Sequence, residues 1–286
     1  MQLRRICLAL TLALATQASA ADQFRFTAIP DQNTARLKER FDRVAVYLSG
    51  KLGIDVQYIP VKSYAASVNA FKNDEVQLAW FGGLSGVKAR RAVPGSQAIA
   101  QGEEDLQFVT YFIANASTGI EPSDEFPAAI AGRTFTFGSK GSTSGRLMPE
   151  FFIRQHFEKS PDEVFKRVGF SGDHSKTLAL VQSGSYEAGA LNFKVFDKEK
   201  AAGNVDSTKV SVIWRTPTYP DYNWSIRGDV EGKYGEGFIA KVKDALLALD
   251  DREILDQFPR ARFIAADNSM YASILETGTA IGIFEE

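Results

Sequence analysis

Residues 134–156 read TFTFGSKGSTSGRLMPEFFIRQH: a β-rich run, a Gly/Ser/Thr loop and an amphipathic stretch, which together make a strand, loop, helix unit. The same unit recurs downstream. Strands are expected at 134–139, 168–171, 188–192 and 210–214, with helices beginning near Ser142, Ser160 and Asp173 between the first three. Ser160, Pro161 and Glu163 form a capping box with proline at the first helical position. Upstream, 24–29 reads as a strand, and Leu37, Phe41, Val44, Leu48 and Leu52 then recur at helical spacing until Gly53. Further strands are expected at 54–59 and 76–81, around a helical stretch near 63–71, and another helix opens after Gly82 and Gly83. Strict alternation implies right-handed βαβ units and mostly parallel sheets with helices on both faces.

Two such patterns imply an α/β protein of two lobes. Residues 108–116 form an extended apolar run followed by turn formers, so the chain is expected to cross between lobes there and to return through 216–221, which holds Pro217 and Pro220. The expected first lobe is discontinuous, 21–115 with 222–286, and the second is 116–221. Two crossing strands would make a hinged clamp with a ligand cleft between the lobes.

The first twenty residues carry Arg4 and Arg5, an apolar run from Ile6 to Ala15, and Ala18, Ser19 and Ala20, the three-part pattern of a secretory signal peptide. Cleavage would leave a chain starting at Ala21, exported to the periplasm and without a membrane anchor. Cys7, the one cysteine, lies inside that leader, so disulfides and thiolate sites are not expected. The formal net charge is −2, and loss of the leader makes it two units more negative, so nucleic acid is not the expected partner. An anion remains possible as a ligand if local dipoles and hydroxyls hold it.

The 134–156 segment supplies such dipoles. Amides at a helix start lack intrahelical acceptors and the helix dipole is positive there, while Ser142, Thr143 and Ser144 add hydroxyl donors and Gly141 and Gly145 permit close approach. The same residues would also serve simply as a well-capped helix. A second helix start follows the 168–171 strand, with Asp173 as N-cap and His174 in the first turn, where a neutral imidazole could donate one N–H to an oxyanion. His156, inside a helix, reads as structural. Tyr64 and Phe81 stand near strand ends as candidate walls of a cleft, whereas Trp80 reads as core. Asn192 closes a strand and Asp221 lies in the return crossing, so both are candidate cleft residues.

Three segments, AWFGGLSG, GSKGSTSG and GFSGDHSKTLALVQSG, give the chain a resemblance to the phosphate/phosphite/phosphonate-type periplasmic binding proteins of ABC importers. Within that family, FTFGSKGSTSGRLMPEFF is similar to the branch described as selenate-binding. The resemblance implies a type II periplasmic binding protein fold and a small tetrahedral oxyanion held by Ser142, Thr143, Ser144 and His174, with an aromatic hydroxyl from Tyr64. It also implies a permease in the inner membrane as partner, a monomeric state, and no cofactor. A second family tyrosine falls on Phe81 here, which removes one hydroxyl donor. Aminoalkyl phosphonates call for two acidic partners, and here Asp221 supplies one while Asn192 stands where the other would be sought.

Other classes fit less well. A serine hydrolase would need a nucleophile elbow, yet Thr143 occupies the centre of the Gly141–Gly145 loop. Only His156 and His174 could act as base or metal ligand, and no HExxH spacing occurs, so neither an enzyme nor a metal site is expected. A sensory ligand-binding module would use the same cleft.

Overall fold

A computed structural model describes residues 23–284, so the expected leader lies outside the described residues. The chain begins with β1 (Phe24–Ala28), α1 (Thr34–Leu52), β2 (Val56–Tyr58), α2 (Tyr64–Lys72), β3 (Leu78–Phe81), α3 (Gly83–Ala92) and β4 (Gln97–Gly102). Helix α1 follows the predicted spacing, burying Leu37, Phe41, Val44, Leu48 and Leu52, and ends at Gly53, whose φ of 70° is the left-handed cap that glycine adopts at no steric cost. After a crossing come β5 (Thr110–Asn115), β6 (Thr134–Phe137), α4 (Met148–Phe157), α5 (Pro161–Val164), β7 (Arg167–Phe170), α6 (His174–Gln182), β8 (Ala188–Asn192), α7 (Phe193–Ala201) and β9 (Val210–Arg215). The return brings β10 (Asn223–Ile226) and β11 (Phe263–Ala265), with four further helices near the C-terminal end.

Hydrogen bonding sorts these strands into two sheets, ordered β11-β4-β10-β3-β1-β2 and β7-β6-β8-β5-β9, one in each lobe. The expectation of mostly parallel sheets is corrected. β1 pairs parallel with β2 and β3, but β10 runs antiparallel to β3 and β4, and β5 runs antiparallel to β8 and β9. Each antiparallel strand adjoins a crossing segment, so it enters its sheet against the direction set by the βαβ units. The position of β5 also shifts the lobe boundary: a cut after residue 115 would part it from both sheet partners, so by pairing the second sheet starts at Thr110.

The two crossings meet where Phe108 and Tyr219 exchange backbone hydrogen bonds of 2.9 and 3.0 Å. Beside them Arg260 holds Asp105 through two bonds, 2.8 Å from Nε and 2.6 Å from Nη2, both residues almost fully buried. Each lobe carries its own aromatic core. Phe26, Phe41, Trp80, Trp224 and Phe258 interlock in the first, and Phe112, Phe135, Phe165 and Trp214 in the second. Each fully buried Phe contributes about 1.5–3 kcal/mol, which favours motion at the crossings over deformation within a lobe. Trp80 is core, as expected, and His156 stacks on Phe126 with ring centres 4.5 Å apart.

Candidate functional site

Helix starts from both lobes converge on the lobe boundary. At the start of α3, Gly83 donates its N–H to Asp221 Oδ1 at 2.8 Å, and Leu84 donates to Thr143 Oγ1 of the other lobe at 3.0 Å. At the start of α6, His174 donates its N–H to the Asp31 carbonyl, which follows β1 in the first lobe, at 3.0 Å. The two lobes are therefore hydrogen-bonded to each other in a closed arrangement. Glycine suits the close approach at the seam. A Cβ at Gly141 would sit 2.9 Å from Tyr64 Cβ, and one at Gly82 would sit 3.1 Å from Asp221 Oδ1.

The Ser142–Ser144 segment differs from the simple helix expected. Thr143–Leu147 is a π-helical turn that precedes α4, a form that often marks functional sites. Ser142 is its N-cap, accepting from Gly145 N–H at 2.9 Å, which leaves the Thr143 and Ser144 amides at the first two positions without intrahelical acceptors. His174 opens α6 behind its N-cap Asp173 and packs edge-on to Gly145, where a Cβ would lie 3.1 Å from His174 Cε1.

Among the described residues, eleven buried side-chain nitrogen or oxygen atoms lack a hydrogen-bond partner, and four of them are Tyr64 Oη, Ser144 Oγ, His174 Nε2 and Asp221 Oδ2. Half of the eight residues singled out from sequence thus carry such an atom, with Tyr64 reached by a looser contact from Ser142 and Ser144 by one from Tyr219. Buried polar groups are ordinarily satisfied, so this concentration at the lobe boundary points to a ligand that completes them. The other four residues are occupied differently. Ser142 caps the turn and neighbours Tyr64, and Thr143 Oγ1 is taken by Leu84. Asn192 caps α7 through Oδ1 and donates Nδ2–H to Tyr222 Oη at 3.0 Å, so its side chain positions its neighbours. Phe81 is fully buried and packs edge-on against Phe71 within the first lobe.

Burial governs the electrostatics. It lowers the His174 pKa below the usual histidine range, with Asp31 and Asp173 opposing, so the ring is neutral at neutral pH. It raises the Tyr64 hydroxyl well above its ordinary value, leaving a donor. Asp221 is pushed up to about 7 by burial, against the opposing hydrogen bonds from Thr143 and Gly83. The site therefore offers three neutral groups, Tyr64, Ser144 and His174, and one carboxyl poised between its two protonation states.

Several supporting residues carried no sequence signal. Asp31 accepts from Tyr222 Oη at 2.7 Å and so links the Asn192–Tyr222 chain to the His174 backbone. Thr110 donates its hydroxyl to the Ser144 carbonyl at 2.9 Å and shares a 2.6 Å contact with Tyr219 Oη. Both belong to loops or strand ends whose roles depend on long-range contacts; the position of Asp31 directly after β1 was the one available hint.

Residues 26–271 match the family of periplasmic substrate-binding proteins of phosphonate ABC transporters. The chain is 41% identical over 258 residues to a probable ABC transporter phosphite binding protein PhnD1 of Prochlorococcus marinus, covering 88% of this chain and 87% of that one. The structure of that organism's PhnD1 in complex with methylphosphonate superposes with a TM-score of 0.87 at 39% identity, covering 92% of this chain and 99% of the other. A binding protein component of an ABC phosphonate transporter from Pseudomonas aeruginosa shares the fold, with a TM-score of 0.78 at 20% identity, over 89% and 85% of the two chains. These relatives are substrate-binding proteins and not enzymes, and the two-lobe α/β architecture is theirs too. The match over nearly the whole described length places the chain in the family of periplasmic phosphonate-binding proteins of ABC transporters.

Proposed function

We propose that this protein captures a small phosphorus oxyanion that retains a proton near neutrality, such as methylphosphonate or phosphite, and presents it in the closed form to an inner-membrane permease after export through the leader. The observation that carries the reading is the unpartnered Oδ2 of buried Asp221, alongside the unpartnered Tyr64 Oη, Ser144 Oγ and His174 Nε2. A tetrahedral anion needs donors for its bare oxygens, and one that is still protonated also needs an acceptor. Asp221 supplies that acceptor. Selenate and sulfate are fully ionised, so above pH 7, where Asp221 is ionised, they meet a lone carboxylate oxygen with no proton to offer it. Asn192 is consumed by capping and Asp31 Oδ2 by the Tyr222 hydroxyl, so of these three residues Asp221 alone offers a buried carboxylate oxygen without a partner, which also argues against aminoalkyl phosphonates.

Ligand would bridge Tyr64 of the first lobe with Ser144 and His174 of the second, beside Asp221 in the return crossing, and so shift the open and closed equilibrium toward closed. Titration calorimetry with methylphosphonate, phosphite, phosphate, sulfate and selenate tests this. The phosphorus oxyanions are expected to bind and the two fully ionised anions to bind at least tenfold more weakly. Preference for selenate would overturn the assignment of Asp221 as acceptor, and silence from all five would overturn the oxyanion site.

A further inference from the structure

A groove of about 420 Å³ runs along the outer face of the lobe seam, lined by Tyr64, Ser85 and Lys88 of the first lobe and by Lys140, Gly141 and Phe170 of the second. Its floor is the close approach of Gly141 to Tyr64, whose buried hydroxyl is one of the unpartnered atoms. No carboxylate lines the groove. Neither Lys88 nor Lys140 forms an ion pair among the described residues. Half-buried Lys88 is held below the usual lysine range by burial and then by Arg146, and Lys140 Nζ and the Arg146 guanidinium lie 5.1 and 5.4 Å from the Phe170 ring. Arg146 itself is ion-paired with Glu150, so two ammonium groups, Lys88 and Lys140, line one groove of a protein whose formal net charge is −2. The overall field repels an anion, and this mouth is locally attractive.

We infer that the groove is the entry vestibule of the site, and that Lys88 and Lys140, one on each lobe, form a transient encounter site for oxyanions that speeds capture without touching the bound solute. When the lobes part, the Tyr64–Gly141 floor opens and the groove becomes continuous with the cleft. In the closed form that floor separates both ammonium groups from the unpartnered atoms within, so their contribution falls on association and not on retention. Clefts lined by one sign of charge raise association rates by about 10- to 1000-fold, an effect that salt screens. The inference rests on the oxyanion reading of the site.

Stopped-flow tryptophan fluorescence with methylphosphonate, at low and high sodium chloride, separates the two rate constants. The double variant Lys88→Gln/Lys140→Gln is expected to associate about 3- to 10-fold more slowly at low salt, to converge on the wild type at high salt, and to dissociate at the wild-type rate. Lys51→Gln, in the last turn of α1 and roughly 26 Å along that helix from its start, is the charge control and should match the wild type. An unchanged association rate in the double variant overturns the vestibule alone, as does a faster dissociation rate with association unaltered, which would place the lysines in the grip itself. A wild type that binds none of the phosphorus oxyanions overturns the site reading and the vestibule together.

Discussion

The backbone N–H of Asn192 donates to His174 Nδ1 at 3.3 Å. That contact fixes the tautomer, because an Nδ1 that accepts leaves the ring proton on Nε2, the nitrogen that has no partner in the site. The end of β8 thus orients a donor that sits on α6, and does so with a backbone group that no side-chain substitution at 192 removes.

His174→Ala should weaken methylphosphonate binding by about 1.5–3 kcal/mol, roughly ten- to a hundredfold in Kd, the range for a hydrogen bond to a charged group. Calorimetry checks the magnitude. His174→Gln, whose amide can still donate, should recover part of the loss. Wild-type affinity in the alanine variant would remove His174 from the grip.

Asp221→Asn should invert the preference among anions. Gly83 N–H occupies Oδ1, so the amide oxygen will take that place and the NH2 group will face the ligand where Oδ2 stood. A donor then replaces the acceptor. Methylphosphonate should lose on the order of 1.5–3 kcal/mol while sulfate and selenate gain. Competition measurements with both classes of anion read the change directly, and parallel losses for all of them would show that Asp221 does not meet the ligand's proton.

Thr143→Ala removes the acceptor for the Leu84 N–H across the seam and the hydroxyl beside the Asp221 carboxyl. A buried amide left unpaired costs about 1–3 kcal/mol, and that cost falls on the closed form alone. Ligand affinity should drop accordingly, with thermal stability of the ligand-free protein nearly unchanged; Thr143→Ser should behave as the wild type. Differential scanning fluorimetry with and without methylphosphonate distinguishes this from general destabilisation.

Much of this was legible in the chain. Apolar spacing located α1, and the β-rich runs located β6 and β8, because local periodicity reports burial directly. Tyr64, Ser144, His174 and Asp221 could be singled out as candidates because each stands at a helix start or in a crossing, places where backbone polarity is unmet, and each has a buried polar atom without a partner. The strand direction of β5 and β10 was not legible, since an apolar run carries no sign of its partner's direction. Nor was the employment of Asn192 as a cap for α7: Asn suits a cleft and a cap equally, and the distinction depends on a tyrosine thirty residues later.

The position of Asp221 also makes closure a proton-linked event. Its pKa in the closed form is raised to about 7 from an ordinary 3.8, whereas an open cleft returns the carboxyl to solvent. Between about pH 4 and pH 7 the closed form therefore carries a proton that the open form has released, so ligand-free closure weakens by roughly 1.4 kcal/mol per pH unit and levels off above pH 7, where both forms are ionised. The neighbouring Asp105 and Arg260 are paired with each other. His174 works in the opposite sense, because its lowered pKa means that closure expels a proton below the usual histidine range. Comparison with Asp221→Asn isolates the carboxyl, since both proteins retain His174. Small-angle scattering of ligand-free samples should show the wild type opening relative to the variant as pH rises from 5 to 7, with no further divergence up to pH 8.5. A difference in radius of gyration that stays constant across that range would show that Asp221 is equally solvated in both forms, and the closed site would then lack the buried carboxyl on which its preference for a protonated anion rests.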